Sequence, residues 1–301
     1  RWSITDGSGK AIAKGSLKSQ TVGTDGVFPV GEFSAPLGKV RGPQKLTVHL
    51  NVGEKTSNSW DIWVYPRNAQ LMQSDTEVLY TTEFGEQAKQ YLAAGKKVVL
   101  TPAPNKVKGR KSTFHNHFWN PIMFAWAPMT IGCLIHAEEP VFADFPTSYH
   151  TDWQWWDILE NAKVIEMQQT PRQLRPFIQV IDSFDNNEKL GIGFEARVGG
   201  GKLLVLAVDT KKKMDQRPAT RQLLESIDRY VRSALYNPAI VGVQYFQLYD
   251  QPALGRTLDG ENGQVGFLDV TDTPYPAMVE ASRRLGGRLY RERLSAVPAG
   301  K

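Results

Sequence analysis

Glu77-Val78-Leu79-Tyr80-Thr81, then Glu86 to Ala94, then Gly95, then Lys97-Val98-Val99-Leu100 is the stretch whose reading decides the fold. The outer runs are short, apolar and rich in β-branched residues, as buried strands are. The segment between them has a helical pattern, and Gly95 sits where a helix commonly ends on a residue in the left-handed region. Strand, helix, strand at this spacing predicts a βαβ crossover and a parallel sheet.

The pattern continues on the C-terminal side. Further strands are expected at Thr130 to His136, Lys163 to Met167, Phe177 to Ile181, Gly191 to Arg197 and Leu203 to Val208. Gly199-Gly200-Gly201 lacks the following helix and the Lys-Ser/Thr ending of a phosphate loop, so a tight hairpin is the better account. A helix is predicted from Pro218 to Ala234, with Pro in its first turn and one apolar stripe of Leu223, Leu224, Ile227, Tyr230 and Val231. Asn237-Pro238 marks a seam.

Residues 1 to 66 have a different character. Trp2 to Asp6, Lys45 to Val52 and Ser59 to Tyr65 alternate with the period of half-buried strands, and Gly and Pro punctuate the gaps. A small β-sandwich is expected, complete or, because the stretch is short for one, incomplete. Arg1 opens the chain in strand-like sequence without a starting Met, which reads as a processed chain or a piece of something longer.

The 301 residues carry 36 basic and 31 acidic side chains, a mild excess that is spread along the chain. The dense run Lys211-Lys212-Lys213 reads as a solvated loop. No nucleic-acid-binding motif is present, and no apolar run is long enough for a membrane helix. A homo-oligomer stays open. The lone cysteine, Cys133, can form no intrachain disulfide. It lies in Ile131-Gly132-Cys133-Leu134-Ile135, which reads as a central strand, so a buried and unreactive thiol is expected.

Several clusters invite a chemical reading. His115-Asn116-His117 puts two imidazoles on one side of a strand, with His136 and His150 as further ligands only by elimination, and no metal or other cofactor is expected. Asp182 and Glu195 are two carboxylates at strand ends, for which turn and capping roles are expected. Trp153, Trp155 and Trp156 lie in the densest aromatic run, His150 to Asp157, either as core filling or as a sugar-stacking platform. The run Val241 to Tyr249 reads as a buried strand that opens onto a polar loop holding Asp250, Arg256, Asp259, Glu261 and Asn262. Pro276 to Leu285 then reads as a helix. A parallel barrel strand opening at its C-terminal end onto a sugar site has this chemistry.

That last unit resembles the closing strand, loop and helix of the catalytic barrel in retaining glycoside hydrolases, above all agarases and β-galactosidase-like enzymes. Asn58-Ser59-Trp60 and Trp63-Val64-Tyr65-Pro66 resemble the end of the immunoglobulin-like sandwich of family-two glycoside hydrolases. The middle alternation resembles the glutamine-amidotransferase-like domain attached to several β-galactosidases, where it serves assembly. Cys133 is not on the strand-to-helix elbow that an amidotransferase nucleophile needs. The run from His150 to Asp157, with Phe145-Pro146 before it, is similar to a structural pattern in C-terminal regions of family-two glycosidases.

The resemblance implies a mixed α/β chain in three parts. Residues 1–66 would be an immunoglobulin-like sandwich, 67–237 a non-catalytic, parallel, glutamine-amidotransferase-like α/β domain, and 238–301 a barrel end. It implies action on β-galactoside or agar-like polysaccharide by a retaining mechanism, which needs two carboxyls roughly 5 Å apart. The glutamate pair of that mechanism lies on barrel strands not visible in this chain. Asp250, Arg256, Asp259, Glu261 and Asn262 would then shape a subsite. Secretion or a periplasmic location is implied by the same resemblance. The alternative is a non-catalytic carbohydrate-binding or assembly module that uses Trp153, Trp155 and Trp156.

Overall fold

The computed structural model describes residues 1–66, 72–114, 130–183, 186–232, 267–269, 271, 273–276, 278–280 and 283. The chain divides into two compact units, Arg1–Val231 and Arg232–Lys301.

The first unit opens with a four-stranded antiparallel sheet. Its strands are β1 (Trp2–Thr5), β2 (Ala11–Gly15), β3 (Gln44–Val52) and β4 (Thr56–Val64), in the order β2-β1-β3-β4. Strand alternation sorts the side chains. Trp2, Ile4, Leu46, Val48, Leu50, Trp60 and Ile62 share one face through the pairs Trp2↔Leu50, Ile4↔Val48, Val48↔Trp60 and Leu46↔Ile62. Ser3, Thr5, Thr47, His49, Asn51, Ser57, Ser59 and Asp61 share the other. Gly15 stands opposite Trp2, and a Cβ there would lie 2.8 Å from the indole, so the ring rests on bare backbone. Phe33 stacks on that ring at 4.2 Å. Of the expected sandwich, complete or incomplete, residues 1–66 form one four-stranded sheet, and Phe33 is the segment's contact with Trp2 on its apolar face.

The larger sheet contains β5 (Val78–Thr81), β6 (Lys97–Leu100), β7 (Gly109–Lys111), β8 (Gly132–Ile135), β9 (Lys163–Glu166), β10 (Pro176–Ile181), β11 (Leu190–Val198) and β12 (Gly201–Leu206). The helices are α1 (Glu86–Ala93), α2 (Trp155–Glu160) and α3 (Pro218–Val231). The strand order is β5-β6-β12-β11-β10-β8, with β9 joining β11 to β7.

The predicted crossover is present. β5 and β6 run parallel with α1 between them, and β12 adds a second parallel pairing to β6. The remaining pairings are antiparallel, which corrects the expectation of a parallel sheet. The cause is connection length. Val198 pairs with Gly201 across Gly199-Gly200, and a two-residue turn can join only antiparallel strands. Gly199 has φ +59, the positive value such a turn requires. The triplet is therefore the hairpin read from the sequence.

Both faces of this sheet are covered. Leu204 and Leu206 of β12 join Val99, Ile178, Ile192, Trp155, Leu223 and Ile227 in the main core beneath α2 and α3. Leu203 and Val205, one residue out of phase, join Leu79, Val98, Ala88 and Leu92 beneath α1. The α3 stripe is buried at Leu223, Leu224, Ile227 and Val231, as its spacing required.

The end of α1 locks onto the hairpin. The Lys96 N–H donates to the Tyr91 carbonyl at 2.9 Å, and the Gly95 N–H to Leu92 at 3.1 Å. Gly95 has φ +76, so this is a Schellman ending. A Cβ on Gly201 would lie 2.8 Å from Leu92 Cα and clash with the Lys96 carbonyl. Backbone on both sides cannot yield cheaply.

In the second unit, Leu268 bridges Pro274, and the Asp269 carboxylate accepts from the Thr271 and Thr273 N–H groups at 2.8 and 2.9 Å. Pro276, Met278, Val279, Glu280 and Arg283 are helical, in agreement with the helix predicted to start at Pro276. The predicted strand Val241 to Tyr249 and the seam at Asn237-Pro238 lie outside the described residues.

Gly201→Ala is expected to destabilise the protein by about 1–3 kcal/mol through this overpacking, read as a lowered midpoint in urea unfolding.

Candidate functional site

The aromatic run His150 to Asp157 starts a helix. Asp152 accepts the Gln154 N–H on its side chain at 3.3 Å and the Trp155 N–H on its carbonyl at 2.9 Å. Such turns are what Asp side chains favour at a helix entrance. Trp155, Ile158 and Leu159 then repeat at i, i+3, i+4 and are buried. That spacing was readable in the sequence as a short helix and was missed beneath the density of tryptophans.

The helix separates the three rings. Trp155 is 0 % exposed. Its indole N–H donates to Thr147 Oγ1 at 2.9 Å, and its ring meets Phe145 and Phe142 edge to face at 5.3 and 6.1 Å. Trp153 and Trp156 are 74 % and 55 % exposed. The Trp156 N–H donates to the Trp153 carbonyl at 3.3 Å, so the two residues close one turn. Phe114 tilts against Trp153 at 5.4 Å. Trp155 is thereby removed from the expected sugar platform, and Trp153 and Trp156 are the two exposed rings of the run.

Behind this pair, Gln154 ties the segment to the first sheet. The Tyr65 hydroxyl donates to Gln154 Oε1 at 2.6 Å, and Gln154 Nε2 donates to the Pro146 carbonyl at 2.8 Å. Burial pushes the Tyr65 hydroxyl and the Asp152 carboxyl above their usual ranges. Tyr65 is thus kept as a neutral donor.

The expected carboxylate pair is split between two networks. Arg110 of β7 donates to Asp182 at 2.5 Å and also pairs with Glu188. Asp182 accepts the Ser183 and Glu188 N–H groups at 2.8 and 3.0 Å, which is the turn role expected for it. Burial alone would raise the Asp182 carboxyl. The Glu188 and Ser183 N–H donors and the Arg110 guanidinium outweigh that and hold it below its ordinary 3.8. Glu195 instead pairs with Lys202 at 3.3 Å across the β11–β12 hairpin, which is a strand position and not a cap. Arg110 carried no local signal, because its partners lie 72 and 78 residues away.

Cys133 lies on β8, the last strand of the sheet order, which corrects the central-strand reading. It still packs against the main core, and burial pushes its thiol up to about 12. The thiolate is therefore suppressed at neutral pH. His136 Nδ1 lies 3.5 Å from Glu138, and His150 meets Tyr149 edge to face at 4.9 Å. Among the described residues, no group of His, Cys, Asp and Glu has the arrangement of a metal site. His115, His117, Asp250, Arg256, Asp259, Glu261 and Asn262 lie outside the described residues.

The comparisons with known proteins match two parts of the chain. Residues 1–66, the first sheet, match a domain of unknown function, DUF8488. Residues 79–248 match a second domain of unknown function, DUF8487. That second match spans more than half of the 301 residues, and the chain belongs to this family. Over 61 residues, 20 % of this chain, it is 46 % identical to Beta-agarase B of Vibrio sp. (strain JT0107). Over 50 residues, 17 % of this chain, it is 48 % identical to Beta-agarase A of the same organism. These stretches cover 6 % and 5 % of the two relatives' own lengths. Part of the chain is therefore related to beta-agarases over a small region of each protein.

Trp155→Ala is expected to cost about 3–5 kcal/mol, and Trp156→Ala less than about 0.5 kcal/mol, as measured by denaturant unfolding. The Asp182 carboxyl is depressed in the folded state, so its contribution is complete above the unfolded value and fades as pH falls through the folded one. Asp182→Asn should therefore show a smaller loss of stability than the wild type between neutral pH and about pH 3.

Proposed function

We propose that this chain is part of a glycoside hydrolase acting on β-galactoside or agar-like polysaccharide, and that its described portion serves sugar contact and assembly. The observation that carries the reading is the exposure of Trp153 and Trp156, three residues apart and joined by one backbone turn, at 74 % and 55 %. Large aromatic faces left in water are costly unless a partner covers them. Flat, rigid rings suit the C–H faces of sugars. The partial kinship with beta-agarases supports the choice of a galactan as that partner.

In this reading Trp155 belongs to the scaffold, holding the turn from inside. Asp250, Arg256, Asp259, Glu261 and Asn262 shape a further subsite, with Arg256 suited to hold a carboxylate by two parallel hydrogen bonds. The bond-breaking carboxyl pair of a retaining mechanism is supplied from barrel strands other than the one this loop follows.

The test is native electrophoresis through gels with and without dissolved agarose. The wild type should be retarded by the polysaccharide. Trp153→Ala combined with Trp156→Ala should weaken that retardation about tenfold, the loss expected for removing two partly exposed rings from a contact. Retardation that is equal for wild type and double variant would remove the platform.

A further inference from the structure

The polar face of the first sheet carries an open depression. Ser3 of β1, His49 and Asn51 of β3, and Ser57 and Ser59 of β4, with Asn58 at the edge from the opposite face, line about 330 Å³, with Asn51, Ser57, Asn58 and Ser59 exposed. Register explains how three strands converge there. Ser3 stands opposite His49, His49 opposite Ser59, and Asn51 opposite Ser57. One cross-strand row is thus Ser-His-Ser, with the Asn-Ser pair beside it.

Local propensity argues against this choice of residues for stability alone. Serine and asparagine lack the β-branched or aromatic bulk that packs well on a pleated surface, and Asn is depleted in strands. Thr5 and Thr47, in the next row of the same face, show what the sheet uses where it is not hollow. Breaks in local consistency of this kind concentrate at functional or strained positions. None of the lining residues has a positive φ: in residues 1–66 that region holds Gly9, Gly31, Gly42 and Gly53 alone.

The hydrogen-bonding inventory points the same way. His49 Nε2 lies 3.0 Å from Thr5 Oγ1, which fixes the imidazole. The side chains of Ser3, Asn51, Ser57 and Ser59 make no hydrogen bond among the described residues. The lining carries hydroxyls, amides and one imidazole, but no carboxylate, guanidinium or ammonium. Hydroxyls donate and accept, and amides do both at separate atoms. An array of this kind matches a ligand that is itself dense in hydroxyls. A phosphate or carboxylate ligand would call for cationic partners, which the lining lacks.

We infer that this hollow is a binding subsite for a neutral saccharide, separate from the Trp153–Trp156 turn. The inference rests on the polysaccharide reading for the class of ligand, and on the depression for its place. The sheet supplies rigidity, since each lining residue is on a paired strand.

The experiment is isothermal titration of the 301-residue protein with an agarose-derived tetrasaccharide and with cellotetraose. The variants are Ser3→Val with Ser59→Val, and Trp153→Ala with Trp156→Ala. Valine suits strands, and thermal melts confirm that the sheet stands. Should the valine pair melt early, Asn51→Thr replaces it as the test. The expected result is saccharide binding that the valine pair weakens about tenfold, as loss of two hydrogen bonds predicts, and that survives in the tryptophan pair. Binding lost in the tryptophan pair but unchanged in the valine pair overturns the subsite and leaves the polysaccharide reading intact. Cellotetraose binding that depends on Ser3 and Ser59, without binding of the agarose fragment, supports the subsite and sinks the galactan. No titration by either sugar overturns the subsite, and the polysaccharide reading is then decided by gel retardation alone.

Discussion

The guanidinium of Arg217 holds the helical layer in place, and most of the larger domain's geometry follows from it. Its Nε donates to Asp157 Oδ1 at 2.6 Å, one Nη to the Asp209 carbonyl at 2.5 Å, and the other to Thr220 Oγ1 at 3.0 Å. Thr220 in turn donates to the second Asp157 oxygen at 2.8 Å. One buried cation thus binds α2, the loop after β12 and the first turn of α3. A buried charge is tolerable only when its donors are satisfied in this way, and removing one member of such a pair generally costs about 3–5 kcal/mol. The Arg217 carbonyl also accepts the first N–H of α3, from Arg221 at 3.1 Å, and Pro218 occupies the position where no N–H is needed.

This node sets which faces of α2 are dry. With Asp157 pinned toward α3, the helix turns Trp155, Ile158 and Leu159 into the core and leaves Trp153 and Trp156 outside. The exposed pair is therefore not loose surface. It is the outer side of a turn whose inner side is held by an ion pair, by the Trp155–Thr147 hydrogen bond and by three aromatic contacts around Phe142 and Phe145. A binding surface gains from such support, because a turn whose backbone is already held loses little freedom on binding.

The same segment couples the two sheets. Tyr65, just past β4, stacks near Phe145 at 6.5 Å and reaches Gln154 through its hydroxyl. Gln154 lies between the two exposed tryptophans in sequence, so the anchor of the first sheet and the exposed turn share a backbone. The proposed saccharide subsite is held by cross-strand pairing within the first sheet, whereas the tryptophan turn depends on the helical layer. Two surfaces with different supports can be altered independently.

The sequence by itself determined the strands, the α1 crossover with its glycine ending, the α3 stripe and the Gly199-Gly200 turn, because period, end signals and turn residues act over a few neighbours. It also indicated strands at Trp2 to Asp6, Lys45 to Val52 and Ser59 to Tyr65. It did not reveal that these strands form one sheet, that most of the second sheet is antiparallel, or that Trp155 and not Trp156 is the core ring. Only the tertiary structure decided those, and it also chose Asp157 for Arg217, and Asp182 and Glu188 for Arg110. These partners lie 60 to 78 residues apart. Their selection depends on which surfaces the folded chain brings together and which charges are thereby left without water, a condition that no local pattern encodes.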